Sequence, residues 1–423
     1  MSDNPKGTIA YISHYFPALT QTFVYREIQA LEELGWEVKP FSIRRPTKGI
    51  SEEAAALASR TTYLLPMRPL QSLWRQVRLF LAHPIRYLRI LAHFISRPGE
   101  TLRSRIHALT HFFGGMHLVP DLKRAGARHF HAHFGRNPAT LALAAAEYLG
   151  IPFSMTIHAR DLFVEPALLR AKLEKAKFVA SISEFNRAIL LDLAPAAREK
   201  VRLLHCGIDL RRFSPARRAR EPGRAPVFFA VGRLVPKKGY AYLVEAARIL
   251  KDRGVPFEVK VIGGGPDHDG LARRIEELGV GGEVKLEGAM PQERLLPLLR
   301  DADAFVLPCV LAPDGDQDGI PVSLMEAMAY SIPCVSTRIS GIPVLIEDGK
   351  DGLLVAEKDP VALAGALEAL ARDPALRERL GVAGRRKVEM SFNLENLARD
   401  LDRLYSASLG IATAPVQAES AHG

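Results

Sequence analysis

The sequence predicts an α/β protein built from two Rossmann-like, doubly wound parallel-sheet domains that face each other across a cleft. Three observations carry this expectation. The chain has 423 residues, more than one hydrophobic core usually organises. Short apolar runs alternate with amphipathic stretches through both halves, the pattern of parallel strands joined by crossover helices. The rhythm breaks once, at "DLRRFSPARRAREPGRAP", which is rich in Pro, Arg and Ser and has no period.

Taken in order, "TIAYIS" reads as a strand and is followed by a loop and a helix over about Thr22 to Leu34. Gly35 ends that helix, and "EVKPFSI" is the next strand. Past a basic region come "HFHAHF", a helix from Pro138 to Leu149, the buried strand "PFSMTIH", and two short strands, "FVASIS" and "VRLLHCGI". The second half restarts with the strand "VFFAV", the loop "GRLVPKKG" and the helix "YAYLVEAARILKDRG", closed by Gly254. "FEVKVIG", "GGGPDHDG" and "LARRIEELG" follow as strand, loop and helix; "EVKLEG", "ERLLPLLRDA" and "AFVLP" follow as strand, helix and strand. The expected domains are therefore 1–209 with a basic helical insert at 63–120, a linker at 210–225, and a second domain at 226–392. A C-terminal helix at 393–410 and a disordered tail at 411–423 complete the chain.

Composition narrows the function classes. Nearly half the residues are apolar and a quarter are charged, which fits a soluble globular protein. Cys206, Cys309 and Cys334 are odd in number and lack metal spacing, which favours a reducing cytoplasm over a disulfide framework. The polar start "MSDNPKG" has no signal-type apolar stretch behind it. No run of about 18 apolar residues is present, so nothing is expected to span a bilayer. The net charge of +10 suits an anionic partner: nucleotide phosphates, nucleic acid or a lipid surface. Nucleic acid is disfavoured because no motif for it is present.

Much of the positive charge sits in the insert. From Tyr63 to Pro120, Glu100 is the only acid, while Arg68, Arg75, Arg78, Arg86, Arg89, Arg97, Arg103 and Arg105 supply the charge. Arg75, Arg78, Arg86, Arg89, His93 and Arg97 recur in helical steps, with Pro84 breaking the helix in two. Trp74, Val77, Phe80, Leu81, Leu88, Leu91 and Phe94 fill other faces. Two readings stand: a helical pair covering a sheet with solvated arginines, or a basic amphipathic surface that leans on anionic lipid.

The chemistry concentrates in "GDQDGIPVSLMEAMA", Gly315 to Ala329, at the C-terminal end of a strand, where open α/β sheets bind ligands. Gly319 lets the backbone approach a ligand, and Pro321 suits a first helical position. The N–H groups near Val322 and Ser323 then form an anion site with the helix dipole. Glu326 lies further along the helix, roughly 7 Å from its start at about 1.5 Å per residue. A diphosphate at the helix end would place a ribose near Glu326, whose carboxylate binds a vicinal diol, and Asp318 would meet a sugar at the other end. Arg233, Lys237 and Lys238 in "GRLVPKKG" supply positive charge for such a leaving group.

"GRLVPKKG", "VIGGGP", "DADAFVLP" and "DGIPVSLMEAMA" resemble the retaining glycosyltransferases of family 4, with the GT-B fold. The family signature is Glu-x7-Glu, with Asp318 standing at the first Glu here. The likeness is close over Val227 to Asp400 and extends to the N-terminal half through "YFPALTQTFVYREI", "HAHFG" and "TIHARDLF". In detail the chain is similar to the branch that builds bacterial exopolysaccharides of the colanic-acid type. The resemblance implies transfer from a nucleotide-diphosphate sugar to a saccharide or polyprenyl-diphosphate-linked acceptor, by a cytoplasmic enzyme peripheral to the inner membrane face. It makes the first domain the acceptor side and the second the nucleotide-sugar side. It gives Arg233 and Lys238 the diphosphate, Glu326 the ribose, Asp318 the transferred sugar and His158 a reach to that sugar. Further donor contacts fall to Gly232, Gly264, Gly319, Ile320, Pro321, Val322 and Ser323, with others near Thr20 to Thr22, and no metal or cofactor is expected.

Other motifs are set aside. Asp301 to Asp303, Asp314 to Asp316 and Asp267 to Asp269 match metal-binding patterns, but the first reads better as capping. His129, His131 and His133 alternate on a strand with no carboxylate partner apparent in the sequence. "GGGPDHDG" is not a dinucleotide fingerprint, which speaks against an NAD-dependent oxidoreductase. A GT-B-like sugar-nucleotide epimerase would need acid and base carboxylates across the cleft, and a non-catalytic binding module would not need Arg233 and Lys238.

Overall fold

A computed structural model describes residues 6–18, 21–46, 52–95, 102–158, 161–162, 168–215 and 223–412. The first half runs β1 (Thr8–Tyr15), α1 (Thr22–Glu33), β2 (Glu37–Arg44), α2 (Glu52–Arg60), β3 (Thr62–Tyr63), α3 (Pro69–Ala82), α4 (Pro84–Ile95) and α5 (Leu102–Arg124). It continues with β4 (His129–His133), α6 (Asn137–Leu149), β5 (Phe153–Ile157), α7 (Leu169–Lys175), β6 (Phe178–Ser181), α8 (Glu184–Leu193) and β7 (Val201–Leu203). The second half runs β8 (Val227–Val231), α9 (Tyr240–Asp252), β9 (Glu258–Ile262), α10 (His268–Glu277), β10 (Val284–Gly288), α11 (Gln292–Leu299) and β11 (Ala304–Leu307). After it come α12 (Val322–Ala329), β12 (Cys334–Thr337), α13 (Ile342–Leu345), β13 (Leu353–Val355), α14 (Pro360–Arg372), α15 (Pro374–Ser391) and α16 (Leu394–Leu409).

The strand orders repeat. The first sheet is β3-β2-β1-β4-β5-β6-β7 and the second is β10-β9-β8-β11-β12-β13, every pairing parallel. Each reverses direction beside its first strand, the topology that opens a crevice at the carboxyl edge. Strands such as Phe153–Ile157 and Cys334–Thr337 are buried along their whole length, as sheets covered on both faces require. The sequence reading omitted β12, β13 and the two-residue β3, and it drew β7 too long: only Val201–Leu203 pairs.

The linker is only partly visible. Leu210–Arg212 form a short 3-10 turn and Phe213 is buried in the second core, while 216–222 lie outside the described residues. The expected tail is likewise outside them beyond residue 412.

The last helix crosses back. An isolated bridge joins Ile208 to Asn393, and α16 then packs on the first domain. Tyr405, fully buried, meets Tyr11 hydroxyl to hydroxyl at 2.7 Å, and Trp36 Nε1 donates to Asp402 at 2.8 Å. Tyr405→Ala is expected to lower stability by about 3–5 kcal/mol, from the cavity left by a large buried ring. Urea unfolding measures this, and a loss below about 1 kcal/mol would mean α16 is a loosely attached strap.

The basic insert departs from the expected helical pair covering a sheet. Pro84 does split it, but α3 and α4 form a hairpin stacked on α5 rather than on a sheet. Tyr87 and Phe94 pack against Phe112 of α5, so Phe94 belongs to the core. Arg75 is pinned by Asp121 at 2.6 Å and Arg86 donates to the Tyr148 carbonyl at 2.9 Å, so both brace the hairpin. No residue of α3 is buried: Leu70, Leu73, Trp74 and Leu81 lie exposed on it, with Arg78 on the same helix and Ile85, Leu88 and Arg89 exposed on α4. Arg97 lies outside the described residues.

Candidate active site

In the second sheet the order reverses between β8 and β11, and the loops leaving those strands are clamped together. Gly239 has φ of +68°, and a Cβ there would lie 1.9 Å from the Pro308 carbonyl oxygen. A Cβ on Gly263 would lie 1.8 Å from the Gly232 carbonyl oxygen. These glycines are needed because backbone meets backbone there. Gly264 accepts from the Leu234 N–H at 3.1 Å, which fixes the cationic loop from the other side.

That clamp brings the predicted charges into contact. Lys238 Nζ lies 2.7 Å from Asp318, and Lys237 Nζ lies 3.2 Å from Asp318 and 3.2 Å from Asp316. Burial works against the Asp318 charge, but Lys238 and Lys237 outweigh it and hold the carboxyl down at about 2. Burial likewise opposes the Lys238 charge, and Asp318 overcomes it, so the ammonium stays above its ordinary range. The resemblance gives the diphosphate to Arg233 and Lys238 and the sugar to Asp318; folded, Lys238 and Lys237 both pair with Asp318. Arg233 is exposed, with no ion pair among the described residues.

The helix start follows directly. Pro321 is the N-cap of α12 rather than its first residue, with φ −66° and ψ 123°. The one-residue shift arises because its extended ψ belongs to the incoming strand-like segment. No side chain caps this end, so the Val322 and Ser323 N–H groups have no intrahelical partner. Gly319 and Ile320 are buried beneath them.

Glu326, on the second turn, is buried and held from two directions. Gln292 Nε2 of α11 donates to its Oε1 at 2.7 Å, and Arg26 Nη1, from α1 of the first domain, lies 3.7 Å from the same oxygen. Arg26 Nη2 also donates to Gln292 Oε1 at 2.6 Å. Burial raises the Glu326 carboxyl, and the Arg26 charge opposes that rise.

Across the cleft, His158 follows β5 at the carboxyl edge of the first sheet. Its ring packs on Phe134 at 4.6 Å and Phe23 at 5.1 Å, its Nε2 is buried without a hydrogen-bond partner, and burial depresses its pKa to about 3. A neutral imidazole with one unused nitrogen is thus left at the sheet edge. Below it, the three aligned histidines do find a carboxylate: Glu27 of α1 lies 3.1 Å from His133 Nε2 and accepts from the Tyr11 hydroxyl at 2.7 Å. Sequence could not reveal this because Glu27 and His133 meet only through helix packing. Glu27, His131 and His133 could converge on a metal ion. However, His131 already uses both ring nitrogens on Ser154 and Thr156 hydroxyls. A metal would have to break those bonds, so the cluster reads as a buried hydrogen-bond network. The set-aside Asp303 accepts from the Val227 N–H at 2.9 Å, which ties down the start of β8.

Residues 20–212 match the family described as Glycosyltransferase Family 4, and residues 215–387 match Glycosyl transferases group 1. The putative colanic acid biosynthesis glycosyltransferase WcaL of Escherichia coli K12 is 32% identical over 422 residues, covering 93% of this chain and 98% of WcaL. The chain belongs to glycosyltransferase family 4. Among solved structures, the sucrose-phosphate synthase of Thermosynechococcus elongatus aligns at TM-score 0.71 with 22% identity, over 96% of this chain and all of that one. HepE of Anabaena, solved in complex with UDP, aligns at TM-score 0.67 with 14% identity, over 95% and 100% of the two chains. The family-4 enzyme therefore has the GT-B fold.

The transferase's predicted residues fall into two groups. Lys238, Asp318, Gly319, Ile320, Pro321, Val322 and Ser323 lie on loops that fold against one another, and Glu326 follows on the same helix. His158 stands in the other domain, with its ring contacts there. The donor contact expected near Thr20 to Thr22 lies partly outside the described residues. Three participants were missed or undervalued: Lys237, which shares Asp318, and Arg26 and Gln292, which hold Glu326. Lys237 was legible as the neighbour of Lys238. Arg26 and Gln292 carry no local signal, because their roles depend on how the second domain seats on α1.

Proposed function

We propose that this glycosyltransferase moves a sugar from a nucleoside-diphosphate sugar to a saccharide acceptor, with the anomeric configuration retained and no divalent metal required. The observation that carries the reading is the ion-paired loop of Lys237, Lys238 and Asp318 beside the uncapped start of α12. A leaving diphosphate gains negative charge in the transition state, and fixed positive groups aimed at it need no reorganisation. Two lysines, Arg233 and the helix dipole supply that charge here, in the place a metal would otherwise take. Asp318, released from Lys238 as the diphosphate binds, becomes the acceptor for the sugar hydroxyls. Glu326 takes the ribose, and His158 presents its unused nitrogen to the sugar from the acceptor side.

The relationship to a colanic acid enzyme supports an exopolysaccharide product, and with it a polyprenyl-diphosphate-linked acceptor at an anionic membrane surface. No helix among the described residues is long and apolar enough to cross a membrane, so the enzyme would reach such an acceptor from one side. The exposed apolar and basic face of α3 and α4 is suited to that contact.

The reading is tested by incubating the protein with a panel of nucleotide sugars and following nucleoside diphosphate release. Product NMR reads the anomeric outcome, and activity abolished by EDTA and restored by magnesium would refute the metal-free part. Asp318→Asn separates binding from transfer. It frees the lysines but loses a charged hydroxyl acceptor, so turnover should fall at least tenfold while nucleoside diphosphate binds as tightly or more tightly. Weaker diphosphate binding in Asp318→Asn would contradict the division of roles.

A further inference from the structure

Arg26 comes from the acceptor-side domain, yet it ends in the ribose subsite of the other one. It is 2% exposed, and its guanidinium, Gln292 and Glu326 close a triangle of contacts at 2.6, 2.7 and 3.7 Å. Both contacts to Glu326 fall on Oε1. Among the described residues no hydrogen bond to Oε2 is seen, so the side chain is held through one oxygen. A carboxylate accepts from a vicinal diol best when ionised, with both oxygens free of protons, and correctly turned. Burial disfavours the charge, and the Arg26 guanidinium, with Arg212 behind it, opposes that effect.

We propose that Arg26 is a positioning residue for the donor ribose: through Gln292 it orients Glu326, so that the ribose subsite of the nucleotide domain is complete only when the acceptor domain is seated against it. This rests on the assignment of Glu326 to the ribose. The consequence is an order in the cleft. A nucleoside diphosphate held by the lysine loop gains its ribose contacts only in the closed arrangement, so donor occupancy favours closure. The buried Arg26 Nε, which has no partner, matches a side chain placed for its two terminal nitrogens at some cost to its third.

The experiment measures calorimetric affinity of the full-length chain for the nucleoside diphosphate released in the panel assay, and for its 2′,3′-dideoxy counterpart. The wild type should prefer the ribo form by tenfold or more. Arg26→Met should weaken the ribo form about tenfold and leave the dideoxy form unchanged, so the preference collapses. Arg26→Lys, which restores charge without the fork, should recover part of it. Gln292→Leu, on the other domain, should act in the same direction and serves if Arg26→Met does not fold. An intact preference in Arg26→Met, or equal weakening of both ligands, overturns the proposal. Glu326→Ala separates the two levels: if it too keeps the preference, the ribose assignment fails, whereas if it alone loses the preference, only the role of Arg26 fails.

Discussion

Lys238→Ala is expected to slow sugar transfer by about 10²-fold or more, the usual cost of removing one fixed group from a developing anion. Lys238 is well placed for this effect. Its ammonium is largely buried, and Asp318 at 2.7 Å keeps it protonated. Its charge therefore acts in a site with little water, where Coulomb interactions are least screened. The loss should appear in kcat rather than KM, because charge on the leaving diphosphate grows on the way to the transition state. Arg233→Ala should move the same way by less, since the exposed guanidinium is screened by solvent. A pH signature accompanies Lys238→Ala. Asp318 is depressed in the folded state, so the stability it contributes is present above its unfolded pKa of about 3.9 and is lost as pH falls toward about 2. With Lys238 gone the folded pKa rises, and that contribution shrinks. The variant should therefore unfold at a higher pH on acidification. Near-normal turnover in both cation variants would mean that the diphosphate binds elsewhere.

Salt-sensitive sedimentation with anionic vesicles, and little with neutral ones, is the second expected result. The outer face of the α3–α4 hairpin exposes Leu70 and Ile85 at 84% and 83%, with Trp74 at 62%, beside Arg68, Arg78 and Arg89. No acid occurs between Tyr63 and Arg97. Each basic residue near an anionic leaflet contributes on the order of 1 kcal/mol, reduced by salt, and the apolar side chains add burial at the headgroup boundary. Substitution must spare Arg75 and Arg86, which hold the hairpin to α5 and α6. Arg68, Arg78 and Arg89 to Glu should abolish sedimentation while leaving nucleoside diphosphate release to water or a soluble acceptor unchanged. If the wild type ignores anionic vesicles at low salt, the hairpin is a solvated cover and the acceptor is soluble.

Much of this protein was legible in its sequence because it is local. Strand and helix periods follow from which residues must face a core, so both doubly wound halves, the break at Pro84 and the helix after Pro321 could be read directly. So could the gathering of charge at the strand ends, since Arg233, Lys237, Lys238, Asp318 and Glu326 lie in two short segments that follow β8 and β11. What the tertiary structure alone decided depends on contacts between residues far apart in the chain. Lys238 and Asp318 neutralise each other because the loops after β8 and β11 are pressed together by close backbone packing at Gly239. Glu27 meets His133, and Tyr405 completes the first core, because α1 and α16 pack there from opposite ends of the chain. Arg75 and Arg78 are three residues apart in one basic stripe, yet one is locked to Asp121 and the other is exposed, a distinction that α5 makes. Arg26 shows the same principle at the site itself: its charge reaches Glu326 only because two separately folded domains meet, and no period or motif within either one encodes that distance.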